Sequence, residues 1–119
     1  IRTIQKGETI GYARNGRSDK TTNIATLTIG YADGFPRSLG NGNWHFEING
    51  KLFPTIGNVC MDYTMIDLGS SSIEIDFEQS IIVFGGIKSI YDYAEAQGTI
   101  CYEAMTRIGN RVNRFFLTD

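Results

Sequence analysis

Short stretches of the chain alternate between apolar and polar residues with the period of a β-strand. Residues 24–29 place Ala25, Leu27 and Ile29 on one face and threonines on the other, which predicts a strand with one solvent-exposed face. Residues 57–68 are largely apolar on both faces, so this central stretch is predicted to be a strand covered on both sides.

Turn and loop signals separate these strands from further extended segments. Asn49-Gly50 lies between two extended runs. Because both central residues of a tight hairpin turn need positive φ, this pair predicts a β-hairpin over residues 45–53. Residues 14–23 contain no apolar side chain and are predicted to form a solvated loop. Residues 81–84 and 111–117 are predicted to be two more strands.

Two short helices are predicted near the C-terminus. Ser89 is the expected N-cap of the first, with Asp92 at the third helical position as an acidic capping box, and Gly98 ends it. The second helix opens at residue 99 or 100 and ends at Gly109. Its predicted buried face consists of Cys101, Met105 and Ile108. Short strands with two short helices indicate a mainly β fold, a small Greek-key-like barrel.

Composition and charge narrow the functional classes. The chain has 119 residues, which suits a single domain over residues 1–119. A net charge of −2 gives no electrostatic case for binding nucleic acid or an anionic membrane, and no apolar run reaches the length of a membrane span. Because the chain begins at Ile1 without a Met, we expect it to be a piece of a longer protein. Cys60 and Cys101 lack the spacing of a zinc or redox pair, which favours reduced, buried thiols in a cytoplasmic protein.

Asp62 and several tyrosines are the candidates for chemistry. Asp62 is a carboxylate among neighbours predicted to be buried, so it either pairs structurally or belongs to a site. Tyrosines recur at predicted loop edges, where a phenol is either a packing residue or a functional donor or base. These tyrosines are Tyr12, Tyr31, Tyr63 and Tyr102. His45 lacks ligand-spaced partners and is assigned no catalytic role. With no nucleophile triad, phosphate loop or metal cluster in the sequence, the residues alone leave the function undetermined.

Four motifs, in order and in register, resemble the C-terminal domain of alanine racemases. They are Gly7-Glu8-Thr9-Ile10-Gly11-Tyr12, Ile29-Gly30-Tyr31-Ala32-Asp33-Gly34, Gly57-Asn58-Val59-Cys60-Met61-Asp62, and Tyr102-Glu103 followed by Arg111-Val112-Asn113-Arg114. The resemblance covers nearly the whole chain. The ending, a helix followed by Tyr-Glu, is most similar to racemase domains fused behind a cell-wall precursor ligase.

The resemblance implies a pyridoxal phosphate (PLP) enzyme that interconverts L- and D-alanine for peptidoglycan. In that family an N-terminal (β/α)8 barrel holds PLP on a lysine, and such a barrel needs roughly 200 residues or more, so it is not in this chain. The family also implies a head-to-tail homodimer in which this domain completes the partner's active site. Racemisation there takes two bases, one on each face of a planar intermediate. The isolated chain is therefore expected to be inactive.

The same resemblance implies residue roles. Tyr12 is the base acting on L-alanine, supplied to the partner subunit. Met61 binds the substrate carboxylate through its backbone N–H, and Tyr102 donates its hydroxyl to the cofactor phosphate within its own subunit. Residues implied to line the entrance or to lie behind the site are Tyr31, Ile100 and Asp62. No metal is implied.

The chain departs from the family pattern in places, and two alternative functions stay open. Asn58 stands where an Arg is common, and Tyr63 stands where a Gln is frequent. A serine racemase would keep the same residues here, because substrate choice lies partly in the barrel. One alternative is the β domain of a PLP decarboxylase for basic amino acids, which carries a Cys-Glu-x-x-Asp-like motif in place of Cys60-Met61-Asp62. The other is a non-catalytic interaction module, which would predict the loss of Tyr12 or Tyr102.

Overall fold

The structure is a computed structural model that describes residues 2–4, 9–10, 16–17, 22–69 and 80–117. Within these ranges the chain is mainly β with two short α-helices near the C-terminus, which confirms the predicted class. The strands are β1 (Arg2–Ile4), β2 (Thr9–Ile10), β3 (Gly16–Arg17), β4 (Thr22–Leu27), β5 (His45–Ile48), β6 (Lys51–Pro54) and β7 (Thr64–Gly69). The helices are α1 (Ile90–Ala96) and α2 (Cys101–Thr106), and 3-10 turns span Tyr31–Asp33 and Arg37–Leu39. Among the described residues, no helix has the length and apolar character needed to cross a membrane.

All the pairings between the described strands are antiparallel. Strands β1, β4 and β7 form a three-stranded sheet with β4 in the centre, while β2 pairs with β3 and β5 pairs with β6. The predicted inward residues of β4, Ala25 and Leu27, are buried. The exposed face is shorter than predicted, because Ile24 is also buried and packs against Ile56 and Met65.

The β5–β6 hairpin is confirmed at the predicted turn. Asn49 has φ 54° and Gly50 has φ 74°, which are the positive values that a two-residue turn between right-twisted strands requires. His45 lies opposite Pro54, and Ile48 lies opposite Lys51. The hairpin therefore arises from local turn chemistry.

An aromatic cluster packs helix α1 against this hairpin. The ring of Tyr93 on α1 lies 5.2 Å from Trp44 and 4.8 Å from Phe84, and Phe35 lies 5.1 Å from Phe46. The indole N–H of Trp44 donates to the Val83 carbonyl at 3.0 Å, so its polar edge is satisfied. Burial raises the pKa of Tyr93 to about 12. This cluster is the centre of the core.

Both helices form, and α1 has the predicted caps. The Ser89 side chain accepts from the Asp92 N–H, and the Asp92 carboxylate accepts from the Ser89 N–H. Gly98 follows with φ 71°, as a left-handed C-terminal residue does. Helix α2 ends at Thr106, before the predicted Gly109.

The predicted buried face of α2 is partly wrong. Met105 is 43% exposed, whereas Ala104 is the α2 residue buried in the core and Cys101 packs against it partly buried. The small Ala104 allows the helix to approach the core closely, and this selects the face that is buried.

The predicted loop over residues 14–23 is wrong at two places. Gly16–Arg17 pairs with Thr9–Ile10, and β4 begins at Thr22. Thr22 is buried because its hydroxyl donates to the Asp67 carboxylate. A polar residue whose hydrogen bond is satisfied can occupy a buried strand position, so polar composition did not mark a loop here.

The predicted central strand is also wrong in its first half. Strand β7 starts at Thr64, and residues 57–63 form an irregular loop in which Met61 is 54% and Tyr63 52% exposed. Gly57 has φ 73°, which takes the backbone out of the extended region.

Two further predicted strands do not form. Residues 81–84 make a single bridge, between Ile82 and Glu47. In the predicted strand 111–117 the side chains of Phe115, Phe116 and Leu117 are almost fully solvent-exposed. No described strand pairs with this segment. A strand depends on hydrogen bonds to a neighbouring strand, and an apolar stretch does not supply that neighbour.

Candidate functional site

Two loops that carry motifs of the sequence lie side by side. The Tyr31 N–H donates to the Cys60 carbonyl at 3.0 Å, and the Ala32 N–H donates to the Met61 carbonyl at 3.0 Å. The Thr64 hydroxyl donates to the Ile29 carbonyl at 2.6 Å, where β7 begins. The turn after β4 and the loop before β7 are thereby held together along their lengths.

Gly30 allows this close approach. A Cβ atom added to Gly30 would overlap the carbonyl oxygens of Cys60 and Met61. The backbone of Gly30 is extended, with φ −153°, so the need for glycine is steric and not conformational. Contact between the two loops therefore depends on the absence of a side chain at residue 30.

Arg111 connects both loops to the segment after α2. Its Nε donates to Asp33 Oδ1 at 2.9 Å, and its Nη1 donates to Asp62 Oδ1 at 2.8 Å. Hydrogen bonds to Asp62 and then to Asp33 raise the pKa of the Arg111 guanidinium. The Asp33 side chain is 12% exposed and the Asp62 side chain 47%. One arginine thus bridges a buried carboxylate and a half-exposed one.

Further hydrogen bonds anchor Asp33. Its Oδ2 accepts from the Gly30 N–H at 3.0 Å, and its carbonyl accepts from the Gly109 N–H at 2.9 Å. A Cβ atom at Gly34 would overlap the Arg107 carbonyl oxygen, so the end of α2 lies directly against this turn. Asp33 is therefore the fixed point of the bridge.

The setting of Asp62 differs from the one predicted. The expectation that it lies among buried neighbours is wrong, because Met61 and Tyr63 on either side are exposed. The expectation that it needs a partner is met by Arg111. Asp62 joins the loop to another segment, as a paired carboxylate would.

Among the described residues, the backbone of Met61 is hydrogen-bonded at its carbonyl oxygen but not at its N–H. The Met61 carbonyl accepts from Ala32, whereas the Met61 N–H donates to no oxygen of the described residues. Its side chain is 54% exposed. The Met61 N–H is thus a donor without a partner among the described residues, on a half-exposed loop.

Tyr102 and Ile100 lie together at a second place. An open groove of about 750 Å³ between α1 and α2 is lined by both, along with Tyr91 and Met105. Tyr102 is 75% and Ile100 65% exposed, and no described residue bonds the Tyr102 hydroxyl. Residues 107–111 connect this groove to the loops that carry Tyr31, Met61 and Asp62.

The remaining predicted residues have simpler positions. Tyr12 lies outside the described residues. Burial, and then the charge of Lys88, lower the pKa of half-buried His45. Cys60 and Cys101 are free and half-buried. Within the described part of the chain, no three His, Cys, Asp or Glu side chains group as a metal site would need.

Sequence reasoning missed the Asp33–Arg111 contact. Asp33 and Arg111 each stand in a family motif, and Arg111 also in a predicted strand, but the sequence predicts no contact between them. The sequence feature that could have indicated this contact is that Asp33 and Arg111 have opposite charges and both lie in family motifs. Charged residues inside such motifs favour pairing across the site.

Comparison with known proteins identifies the family. A family model described as "Alanine racemase, C-terminal domain" matches residues 1–116. The chain belongs to the alanine racemase C-terminal domain family.

Individual relatives agree with this membership. The chain is 38% identical over 121 residues to the alanine racemase of Cutibacterium acnes, covering 98% of this chain and 32% of that protein. A solved alanine racemase from Streptomyces lavendulae superposes with TM-score 0.86 at 32% identity, over 99% of this chain and 31% of that chain. A solved alanine racemase from Bartonella henselae, with covalently bound pyridoxal phosphate, superposes with TM-score 0.90 at 28% identity. The match covers 98% of this chain and 32% of that chain. This alanine racemase C-terminal domain spans about a third of the length of the relatives that it matches.

Proposed function

We propose that this chain is the C-terminal domain of a PLP-dependent alanine racemase that interconverts L- and D-alanine for peptidoglycan. It supplies a tyrosine base and a substrate-carboxylate contact to the active site of a partner subunit in a homodimer. Membership of the family and a length of about one third of its relatives support this proposal. The PLP-binding (β/α)8 barrel then precedes residues 1–119 in the full-length protein.

The observation that carries the proposal is the free amide of Met61. Its N–H has no acceptor among the described residues, on a loop held by Ala32 and Arg111. A carboxylate gains a charge-assisted hydrogen bond from a fixed backbone N–H, and the amide loses little entropy on binding. A methionine can occupy this polar site because the backbone makes the contact and the side chain does not.

Tyr12 is the proposed base for L-alanine. A free phenol has a pKa of about 10, so a phenolate near neutral pH needs a cationic or hydrogen-bonding neighbour. We expect that neighbour on the partner subunit. Tyr12 takes a proton from the α-carbon on one face of the substrate and returns one in the reverse direction, while the cofactor lysine serves the other face.

The cofactor fits the residues around the groove. Tyr102 is 75% exposed there, so its hydroxyl can donate to a phosphate oxygen without first breaking a bond to the described part of the domain. When bound, PLP withdraws negative charge from the substrate α-carbon. Ile100, in the groove, presents an apolar side chain to the proposed entrance. Tyr31, on the neighbouring loop, presents an aromatic ring, and both limit the access of water.

The proposal also includes a barrel fold, a cytoplasmic location and no nucleic-acid or membrane partner. We propose that the small sheets belong to a Greek-key-like barrel in the full-length protein. Antiparallel pairing throughout the described strands supports it. A cytoplasmic location fits two free cysteines, because thiols stay reduced there. Contact with neither nucleic acid nor membrane is expected from the charge of −2.

Racemisation by the full-length protein is the test. Purified protein loaded with PLP is incubated separately with L-alanine, D-alanine, L-serine, L-lysine and L-arginine. The enantiomers are separated chromatographically, and released CO2 is measured. We expect both alanine enantiomers to converge to equal amounts, and the serine arm measures substrate preference. Release of CO2 from lysine or arginine, with alanine unchanged, would instead support a decarboxylase. No turnover of any amino acid would support a non-catalytic module.

A further inference from the structure

We propose that Arg111 is a positioning residue for the substrate contact at Met61. By bridging Asp33 and Asp62, it helps to orient the loop that presents the Met61 N–H and compensates one of the two negative charges of these carboxylates. This inference rests on the proposed function, because it takes the Met61 amide as the site of carboxylate binding.

The loop that carries Met61 depends on few contacts. Residues 60–63 belong to neither a helix nor a strand, and both Met61 and Tyr63 are about half exposed. Its backbone is held by the bonds from Tyr31 and Ala32 and by an internal bond from the Cys60 N–H to the Tyr63 carbonyl at 2.9 Å. Since this loop has no regular secondary structure of its own, its few hydrogen bonds are expected to contribute strongly to its orientation.

The Arg111 bridge acts on the residue next to Met61. The two carboxylates are bound by different nitrogens of one guanidinium, Nε to Asp33 and Nη1 to Asp62. Because a guanidinium is planar and rigid, it fixes the distance and angle between its two partners. Asp33 is the anchored end and Asp62 the half-exposed end, so the bridge restrains Asp62 and the Met61–Asp62 peptide, which adjoins, at the Met61 Cα, the peptide that carries the Met61 N–H.

Charge adds a second effect of the same residue. Asp33 and Asp62 place two negative charges near an amide proposed to bind a carboxylate. Like charges that are not compensated disfavour an anionic ligand at short range. Arg111, bonded to both, compensates one of these two charges and so lowers that repulsion. Loss of the arginine is thus expected to weaken binding of the substrate more than it weakens the fold, because exposed ion pairs contribute little to stability.

The experiment compares variants of the full-length, PLP-loaded protein. Arg111→Gln removes both the positive charge and the guanidinium that bonds two carboxylates at once. Arg111→Lys keeps the charge but not the guanidinium. Arg107→Gln is the matched control, because Arg107 pairs with Glu103 at 2.5 Å with similar exposure and lies outside the bridge. The measurements are kcat and KM for both alanine enantiomers, PLP affinity, and the melting temperature.

We expect Arg111→Gln to raise KM for both enantiomers about tenfold, with kcat within about twofold and PLP affinity unchanged. Arg111→Lys should give an intermediate KM, and Arg107→Gln should match the wild type. An unchanged KM in Arg111→Gln would overturn the inference. So would an equal rise in Arg107→Gln, or a loss of kcat, PLP affinity and melting temperature together.

Two outcomes keep the inference separate from the function on which it rests. If Arg111→Gln does not fold, Arg111→Lys decides: a raised KM with normal PLP affinity supports the positioning role, and an unchanged KM overturns it. If the wild-type protein does not racemise alanine, the proposed function fails and the inference fails with it. Active wild type with insensitive Arg111 variants refutes the inference alone.

Discussion

Ala32 and Met61 are joined by a hydrogen bond from the Ala32 N–H to the Met61 carbonyl oxygen, 3.0 Å long. The bond uses the acceptor of Met61 within the domain and leaves its donor without a partner among the described residues. The turn that carries Tyr31, itself a proposed entrance residue, therefore contributes with Arg111 to the orientation of a proposed substrate contact.

Gly30→Ala tests the close packing between these loops. The added methyl group would overlap the carbonyl oxygens of Cys60 and Met61, and overpacking of this kind destabilises by about 1–3 kcal/mol. We expect a lower melting temperature and a raised KM for alanine in the full-length protein. Gly86→Ala is the control, since its methyl would meet only the end of the Glu47 side chain. Equal effects of both variants would contradict the prediction.

Tyr12→Phe tests the proposed base. Removing the phenolic hydroxyl should lower kcat with L-alanine by about 10²–10⁴-fold, the range for loss of a general base. PLP affinity should stay unchanged, because the proposed role of Tyr12 is proton transfer to and from the substrate, supplied by the partner subunit. Steady-state kinetics and cofactor titration measure the two effects. An equal loss of PLP affinity would mean that Tyr12 is structural.

Tyr102→Phe tests the proposed phosphate contact. A hydrogen bond to a charged group contributes about 1.5–3 kcal/mol, so the Kd for PLP should rise by about 10- to 100-fold. Tyr91→Phe is a matched control, because Tyr91 lines the same groove and is 74% exposed, against 75% for Tyr102. Fluorescence titration with PLP gives both constants. Unchanged affinity in Tyr102→Phe would refute the contact.

The isolated chain provides a test of the divided active site. Residues 1–119 alone should show no racemisation of alanine with added PLP, because the lysine-bearing barrel lies elsewhere in the proposed protein. The full-length protein in the same assay is the positive control. Turnover by the isolated chain would show that it contains a complete site.

Asp92 makes the first turn of α1 sensitive to acid. Hydrogen bonds from the Ser89 backbone and side chain lower the Asp92 pKa. A carboxylate whose pKa is lowered in the folded state stabilises the fold at pH values above its unfolded-state pKa of about 3.9. This stabilisation is lost as the pH falls through the folded-state pKa. The wild type should therefore exceed Asp92→Asn in stability at neutral pH, and the difference should shrink below about pH 4. Glu95→Gln, on the same helix, is the control in urea unfolding, because the Glu95 carboxylate makes no hydrogen bond among the described residues.

Local features of this domain could be predicted because neighbouring residues determine them. The Asn49-Gly50 turn and the Ser89–Asp92 cap both formed where they were expected. In each case the interacting groups are within three positions of one another, so the sequence displays both partners together. The family motifs likewise indicated which loops carry the proposed site.

The tertiary structure alone decided how those loops meet. Arg111 bonds to Asp33, 78 positions away, and to Asp62, 49 positions away. The predicted strands at 57–63 and 111–117 failed for the same reason that this bridge was missed. Long-range partners determine whether an apolar or charged stretch becomes a strand, a loop or part of a site, and periodicity along one stretch carries no information about them.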